Sequence, residues 1–293
     1  MPTDYPARVS ERPRPGQRAL SNGEAVGPYL LGDLLGQGGM GTVYRAVHVH
    51  ERTEVALKVL KASPAADGEL TRRFAREARA AGEVRHPHLV EVLDAGEDDG
   101  VRYLAMRLVE GRSLQSVIRA DGPLALPDLV RVMSQVAAGL DALHAAGLIH
   151  RDVKPSNILL GDDGCVSLTD FGLIKGSGYS VLTKIGQLMG TLDYLAPEAI
   201  KGEEPSAASD VYALGCVAYE CACGAPPFSG GMFQVGHGHL EERPTDPCAA
   251  RADASGEVAE ALLLALEKDP ARRPPTATSY ARLLSLAVTR SSR

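Results

Sequence analysis

The chain has 293 residues, 44% of them hydrophobic, and carries a formal net charge of −6. That length suits one large domain or two lobes with a filled core, and the acidic balance argues against nucleic acid as the main partner. No apolar run reaches the roughly 18 residues needed to span a bilayer, and the N-terminus lacks the apolar core of a signal peptide, so a soluble protein without a membrane span is expected. The five cysteines, Cys165, Cys216, Cys221, Cys223 and Cys248, are odd in number and form no CxxC pair. Reduced thiols in a cytoplasmic protein are the expectation.

Residues 1–26 are rich in Pro, Arg, Ser and Gly without periodicity, which predicts a disordered N-terminal tail. Order is expected from Tyr29, with a strand over 29–35. Next come Gly36-Gln37-Gly38-Gly39-Met40-Gly41 and a second strand over 42–49. A GxGxxG pattern alone is weak. A dinucleotide fold needs a helix after the last glycine, whereas Thr42-Val43-Tyr44-Arg45-Ala46-Val47 is strand-like. A hairpin with a glycine tip lets the backbone come close to phosphates.

The third strand, Glu54–Leu60, alternates Val55, Leu57 and Val59 on one face with Ala56 and Lys58 on the other. Lys58 alone reads as a solvent-facing strand lysine. Beside the small Ala56 it could instead face a nucleotide, with room for a base and a reach to phosphate oxygens. Residues 69–84 have helical periodicity, and Glu77 falls on the apolar stripe of Leu70, Phe74, Ala81 and Val84. An inward carboxylate needs a cation, since a lone buried charge is costly. Lys58 is the candidate, and an exposed pair with Arg73 is the alternative.

His86-Pro87-His88 reads as a turn rather than a metal site, since no third ligand lies near it in sequence. Strands are expected over 89–97 and 101–108, with a hinge from Met106 to Gly111. From residue 113 the chain turns helical: Leu129, Met133, Val136, Leu140 and Leu143 form one stripe, and Gly147 stops that helix.

The densest chemistry lies in His150–Gly172, HRDVKPSNILLGDDGCVSLTDFG. Gly161-Asp162-Asp163-Gly164 between two apolar runs predicts a β-hairpin, which returns Asp170 toward Asp152 and Asn157. Two carboxylates and an amide oxygen suit a hard cation such as Mg²⁺, and Lys154 adds a point charge for a phosphate. A polar loop over 173–189 leads into Gly190-Thr191-Leu192-Asp193-Tyr194-Leu195-Ala196-Pro197-Glu198. A helix opening at Asp210 is apolar all round, as a central buried helix is. Final helices are expected over 258–268 and 276–288.

HRD with Asn157, then DFG, preceded by GxGxxGxV and VALK and followed by APE, resembles the motif set of eukaryotic-like (Hanks-type) serine/threonine protein kinases of the bacterial branch, over about residues 28–288. The resemblance implies an α+β, bilobal protein-kinase-like fold. A small antiparallel β-sheet N-lobe with one regulatory helix would occupy 27–108. A larger, mainly helical C-lobe would occupy 109–288, with a short tail at 289–293. It implies ATP and Mg²⁺ as cofactors, Mn²⁺ as the alternative ion, and transfer of the γ-phosphoryl group to Ser/Thr hydroxyls of protein substrates.

Carried over residue by residue, Lys58 holds the α- and β-phosphates and Glu77 holds Lys58. Asp152 takes the acceptor's proton, Lys154 contacts the γ-phosphate, and Thr191 contacts both Asp152 and Lys154. Asn157 and Asp170 hold the metal. Leu35, Gly36, Gln37, Gly38, Gly39, Met40, Gly41, Val43, Ala56, Met106 and Leu108 surround the nucleotide. Many relatives have Glu just after the position of Met106; Arg107 stands here, and since the hinge works through its backbone, binding is expected to survive. Arg151 docks a phosphate placed on Thr183 or Ser180 by autophosphorylation. Glu198 pairs with Arg273, and Asp210 is structural. The resemblance also allows a homodimer through the N-lobe. A pseudokinase scaffold is the alternative to turnover.

Overall fold

The computed structural model describes residues 20–39, 41–60, 78, 82–170, 192–251 and 253–291. The expectations for Met40, Glu77, Ser180, Thr183 and Thr191 fall outside these residues, as does most of the helix expected over 69–84. The chain divides into two compact units: 1–79 with 92–108, and 80–91 with 109–293. The expected N-lobe, 27–108, therefore gives up residues 80–91 to the second unit.

The first unit is built on a six-stranded antiparallel sheet in the order β1-β2-β3-β4-β6-β5. Its strands are β1 Ala25–Val26, β2 Tyr29–Gln37, β3 Gly41–His48, β4 Glu54–Leu60, β5 Val92–Asp98 and β6 Val101–Arg107. Period-two alternation drives one face into a core of Tyr29, Leu31, Ala46, Val55, Leu57 and Tyr103. Tyr29 and Tyr103 meet edge to face, ring centroids 5.6 Å apart. A Cβ at Gly96 would meet the Tyr103 phenol, so a larger residue there would have to displace that ring.

Two expectations are corrected in this unit. Within the tail predicted to be disordered through residue 26, residues 20–26 are ordered. β1 pairs with β2, Val26 is buried, and Leu20 packs on the same core while its carbonyl accepts from the Tyr44 hydroxyl. The strand expected from Leu89 begins at Val92; Leu89 instead makes a parallel bridge to Leu168 in the second unit.

The second unit holds a small antiparallel sheet of β7 Gly111–Ser113, β8 Ile158–Gly161 and β9 Val166–Leu168. Its helices are α1 Leu114–Asp121, α2 Leu126–Ala145, α3 Pro197–Ile200, α4 Ala207–Cys223, α5 Met232–Glu241, α6 Pro247–Ala250, α7 Gly256–Leu264 and α8 Ala277–Ser291. The stripe Leu129, Met133, Val136, Leu140 and Leu143 of α2 is wholly buried, and Gly147 follows the helix with φ 74°. Helix α4 is buried on every side from Ser209 to Ala222. The Ser206 N–H donates to Ser209 Oγ at 3.0 Å at its start, and Gly224, at φ 81°, ends it. Asp141 on α2 caps α8, accepting from the Ala277 and Thr278 amides at 3.0 Å each. Among the described residues no helix is long and apolar enough to cross a membrane, and every cysteine is free.

One buried ion pair ties α3 to the turn before α8. Arg273 Nη1 and Nη2 donate to Glu198 Oε1 and Oε2 at 2.7 and 2.8 Å. The other guanidinium donors go to the carbonyls of Glu267, Ala208 and Lys268, so all five N–H groups are used. Ser209 Oγ also donates to Glu198, at 2.7 Å. Burial opposes charge on Glu198, but hydrogen bonds from Arg273 and Ser209 outweigh it and hold the carboxyl below its usual range. Arg273→Met should leave that carboxylate buried without its partner and destabilise the fold by about 3–5 kcal/mol, read as a lowered urea midpoint; an unshifted midpoint contradicts the pairing.

Candidate active site

The second unit supplies a loop shaped by one carboxylate. Asp210, in the first turn of α4, accepts from the main-chain N–H of His150 at 2.8 Å and of Arg151 at 2.9 Å. His144, near the end of α2, brings Nε2 to the same carboxylate at 2.8 Å. The loop needs such a clamp because Arg151 sits at φ 64°, a left-handed conformation that disfavours a side chain by about 1–3 kcal/mol. Asp170 has the same strain, at φ 62°. Residues in such conformations persist where the surroundings over-determine them.

His150 is the second fixed point. It is fully buried, Nε2 faces the Thr169 carbonyl at 3.1 Å, and Nδ1 accepts from the Asp152 N–H at 3.2 Å. One neutral tautomer, protonated on Nε2, satisfies both bonds. Burial lowers the pKa of His150 against the pull of Asp210 and Asp152. A neutral imidazole thus bridges the HRD loop to the residue preceding Asp170.

These contacts bring the expected residues together. Lys154 Nζ lies 2.9 Å from Asp152 Oδ2. Asn157 Nδ2 donates to the same Oδ2 at 3.0 Å and to the Asp152 carbonyl at 2.8 Å. Pro155–Asn157 forms a turn of 3₁₀-helix, and the Asn157 carbonyl accepts from the Thr169 N–H at 2.9 Å. Asn157 and Asp170 are thereby tied through adjacent backbone. With Nδ2 committed to Asp152, the amide oxygen of Asn157 is the side-chain atom left to meet a cation.

The donor set fits magnesium: an Asp carboxylate and an amide oxygen are hard ligands, and Mg²⁺ takes one or two protein oxygens and completes its shell with phosphates and water. The described residues contain no cluster of three or more His, Cys, Asp or Glu suited to a metal. Asp152 and Lys154 line a cleft together with Tyr194, Leu195, Ala196 and Pro205. The Tyr194 hydroxyl donates to Glu220 Oε2 at 2.5 Å.

The first unit carries the other candidate residues. Lys58 lies in the middle of β4, opposite Val43 on β3 and Leu104 on β6, and is only 6% exposed. Burial removes the reading of a solvent-facing strand lysine. Ala56 pairs across with Arg45 and Met106. The glycine turn is closed by the Gly38 N–H on the Gly41 carbonyl at 2.8 Å, and register places Gly36 opposite Val43 and Gln37 opposite Thr42. A Cβ at Gly41 would strike the Val59 carbonyl, so β3 can start there only with glycine. Gly39 and Leu35 are exposed, Met106 is buried, Leu108 is half-buried and Arg107 points to solvent.

Sequence reasoning missed His144 and Ser209. His144 reads as one more helix residue, and Ser209 as one of several serines before α4. Only the fold shows that they meet Asp210 and Glu198.

The protein kinase domain family matches residues 29–282. Serine/threonine-protein kinase PknH of Mycobacterium tuberculosis is 46% identical over 206 residues, covering 70% of this chain and 33% of that protein. Serine/threonine-protein kinase PknE of Mycobacterium bovis is 41% identical over 236 residues, covering 80% of this chain and 42% of that protein. The crystal structure of the Mycobacterium tuberculosis PknI kinase domain matches with a TM-score of 0.75 at 32% identity, over 92% of this chain and all of that one. The fold is the bilobal protein-kinase fold. The chain belongs to the protein kinase domain family, in its bacterial Hanks-type serine/threonine branch, and spans less than half the length of the PknH and PknE relatives.

Asp210→Asn keeps one acceptor oxygen but turns the other arm into a donor, so one clamp bond is lost. We expect a stability loss of about 1–3 kcal/mol by chemical denaturation. His150 adds a pH dependence. Its folded pKa lies below the usual 6.5. Its contribution is therefore whole above 6.5 and is lost as pH falls below it, because the unfolded chain takes a proton that the folded one refuses. A His150→Gln variant should lose less stability between pH 7 and pH 5 than the native chain.

Proposed function

We propose that this protein is an ATP-dependent serine/threonine protein kinase, regulated by autophosphorylation of its activation segment. The observation that carries the reading is the shared Asp152 Oδ2, which accepts from both Lys154 Nζ and Asn157 Nδ2. Two donors fix the direction of this carboxylate, which a general base requires. When bound, magnesium-ATP supplies the electrophilic γ-phosphorus and the ADP leaving group.

Each residue has a role in the transfer. Asp152 orients the acceptor hydroxyl and takes its proton as the new O–P bond forms. Lys154, beside it, offsets charge on the transferred phosphoryl group. Asn157 and Asp170 give their oxygens to the metal. Lys58 holds the α- and β-phosphates, and its burial in β4 limits the positions its ammonium can take. The glycine turn with Leu35, Gly36, Gln37, Gly38, Gly39, Gly41 and Val43 covers the nucleotide, and Ala56, Met106 and Leu108 line its base. The acceptor is a protein segment laid along the cleft of Tyr194, Leu195, Ala196 and Pro205. The Lys two places after Asp152 supports Ser or Thr as the acceptor.

Arg151 motivates the regulation. Its backbone is clamped by Asp210, and its guanidinium lies 3.8 Å from the exposed Glu204. A phosphate on Thr183 or Ser180 would give Arg151 a stronger, charge-assisted partner.

Incubation with labelled ATP, Mg²⁺ and a protein acceptor tests the reading. Asp152→Asn should lower kcat by about 10²–10⁴, and Lys58→Met should largely abolish transfer while both variants stay folded. A native chain no better than Asp152→Asn would mean a pseudokinase scaffold instead. For the regulation, intact mass after ATP incubation should rise by phosphate increments that map to Thr183 or Ser180; a fully active enzyme unmodified at both sinks that part.

A further inference from the structure

Strand β9 is three residues long and ends two residues before Asp170. Its inner edge pairs with β8: Ile158 opposes Leu168, Leu159 opposes Ser167 and Leu160 opposes Val166. Its outer edge presents the main-chain groups of Val166 and Leu168, and both residues are wholly buried. Buried main-chain groups need partners. Leu168 finds them in the loop after His86: its N–H donates to the His88 carbonyl and its carbonyl accepts from the Val90 N–H, both at 2.9 Å.

Val166 is served differently, by side chains, with the Cys165 thiol also 3.9 Å from its carbonyl. Its N–H donates to Gln135 Oε1 at 2.9 Å, and its carbonyl accepts from His88 Nδ1 at 2.9 Å. A carbonyl only accepts, so His88 carries its proton on Nδ1. His88 is held in turn, because its own N–H donates to His86 Nδ1 at 3.2 Å. Its carbonyl lies against α2 at Gly139, where a Cβ would come within 2.8 Å. Gln135 is one turn earlier on the same helix. The His-Pro-His turn is therefore a fitting that completes a strand edge.

We propose that His88 and Gln135 are positioning residues for Asp170. They close the outer edge of β9 at Val166 by side chain, where a neighbouring strand would otherwise close it, and so help fix the register at which the strand delivers Asp170 in its left-handed conformation. This rests on the kinase reading, in which Asp170 is a metal ligand. A slip or fraying at Val166 would move the carboxylate relative to Asn157, which the Thr169 amide holds from the other side.

The test uses the full chain with Mn²⁺ and a non-hydrolysable ATP analogue, followed by calorimetry and by the Mn²⁺ resonance, well below the unfolding temperature. Gln135→Met removes the acceptor and His88→Leu removes the donor. Each should weaken Mn²⁺ binding about tenfold, as is usual when a residue supporting a metal ligand is lost, and raise KM for magnesium-ATP. Gln135→Glu, which keeps the acceptor oxygen, should restore native affinity. Should Gln135→Met not fold, Gln135→Asn withdraws the same acceptor by one methylene. Native Mn²⁺ affinity in both folded variants, with only a lowered Tm, overturns the proposal and leaves the kinase reading standing. A native chain that binds no metal–nucleotide overturns both.

Discussion

The Asp210 carboxylate is the constraint on which the second unit's chemistry depends. It sits at the start of a helix buried on all sides, where the helix N-terminus favours negative charge. From there it accepts two successive main-chain N–H groups of a loop that would not hold its shape unaided. The fold thus uses a helix buried on all sides to fix a strained loop. His150 extends that order to Thr169, and Asn157 returns it to Asp152. Several of these side chains spend hydrogen bonds on the backbone, which holds the loop in place.

Two buried polar devices in this unit work in opposite ways. Glu198 and Arg273 remain charged because every donor of the guanidinium has a partner and the carboxylate has a third donor in Ser209. His150 remains neutral because one tautomer meets both neighbours and burial penalises the cation. His239 on α5 follows the second course: it is wholly buried, its Nδ1 meets the Tyr212 hydroxyl at 2.8 Å, and burial brings its pKa down to about 4. Charge is kept inside only where its partners are complete.

Much of this was legible in the sequence, for physical reasons. The sheet of the first unit follows from alternation, with Val55, Leu57 and Val59 in the core as their spacing requires. The helix stripe from Leu129 to Leu143, the hairpin around Gly161–Gly164, and the meeting of Asp152, Lys154 and Asn157 follow from period, turn chemistry and short separation. What was not legible depends on contacts distant in sequence. Leu89 and Val90 look like the start of a strand, yet they serve β9, some 78 residues on. Leu20 to Val26 has the composition of a tail, but Val26 and Leu20 find a core only after β2 and β3 have made one. His144 carries no local signal at all, since its partner is 66 residues away.

The left-handed backbones of Arg151 and Asp170 set this protein's chemistry against its own conformational preference. A library selected for thermal tolerance alone would be free to drift toward Asn or Gly at both positions, which relieves the backbone and discards the guanidinium and the carboxylate. Hardier descendants would then be expected to lose their chemistry first at these two places, long before the core gave way.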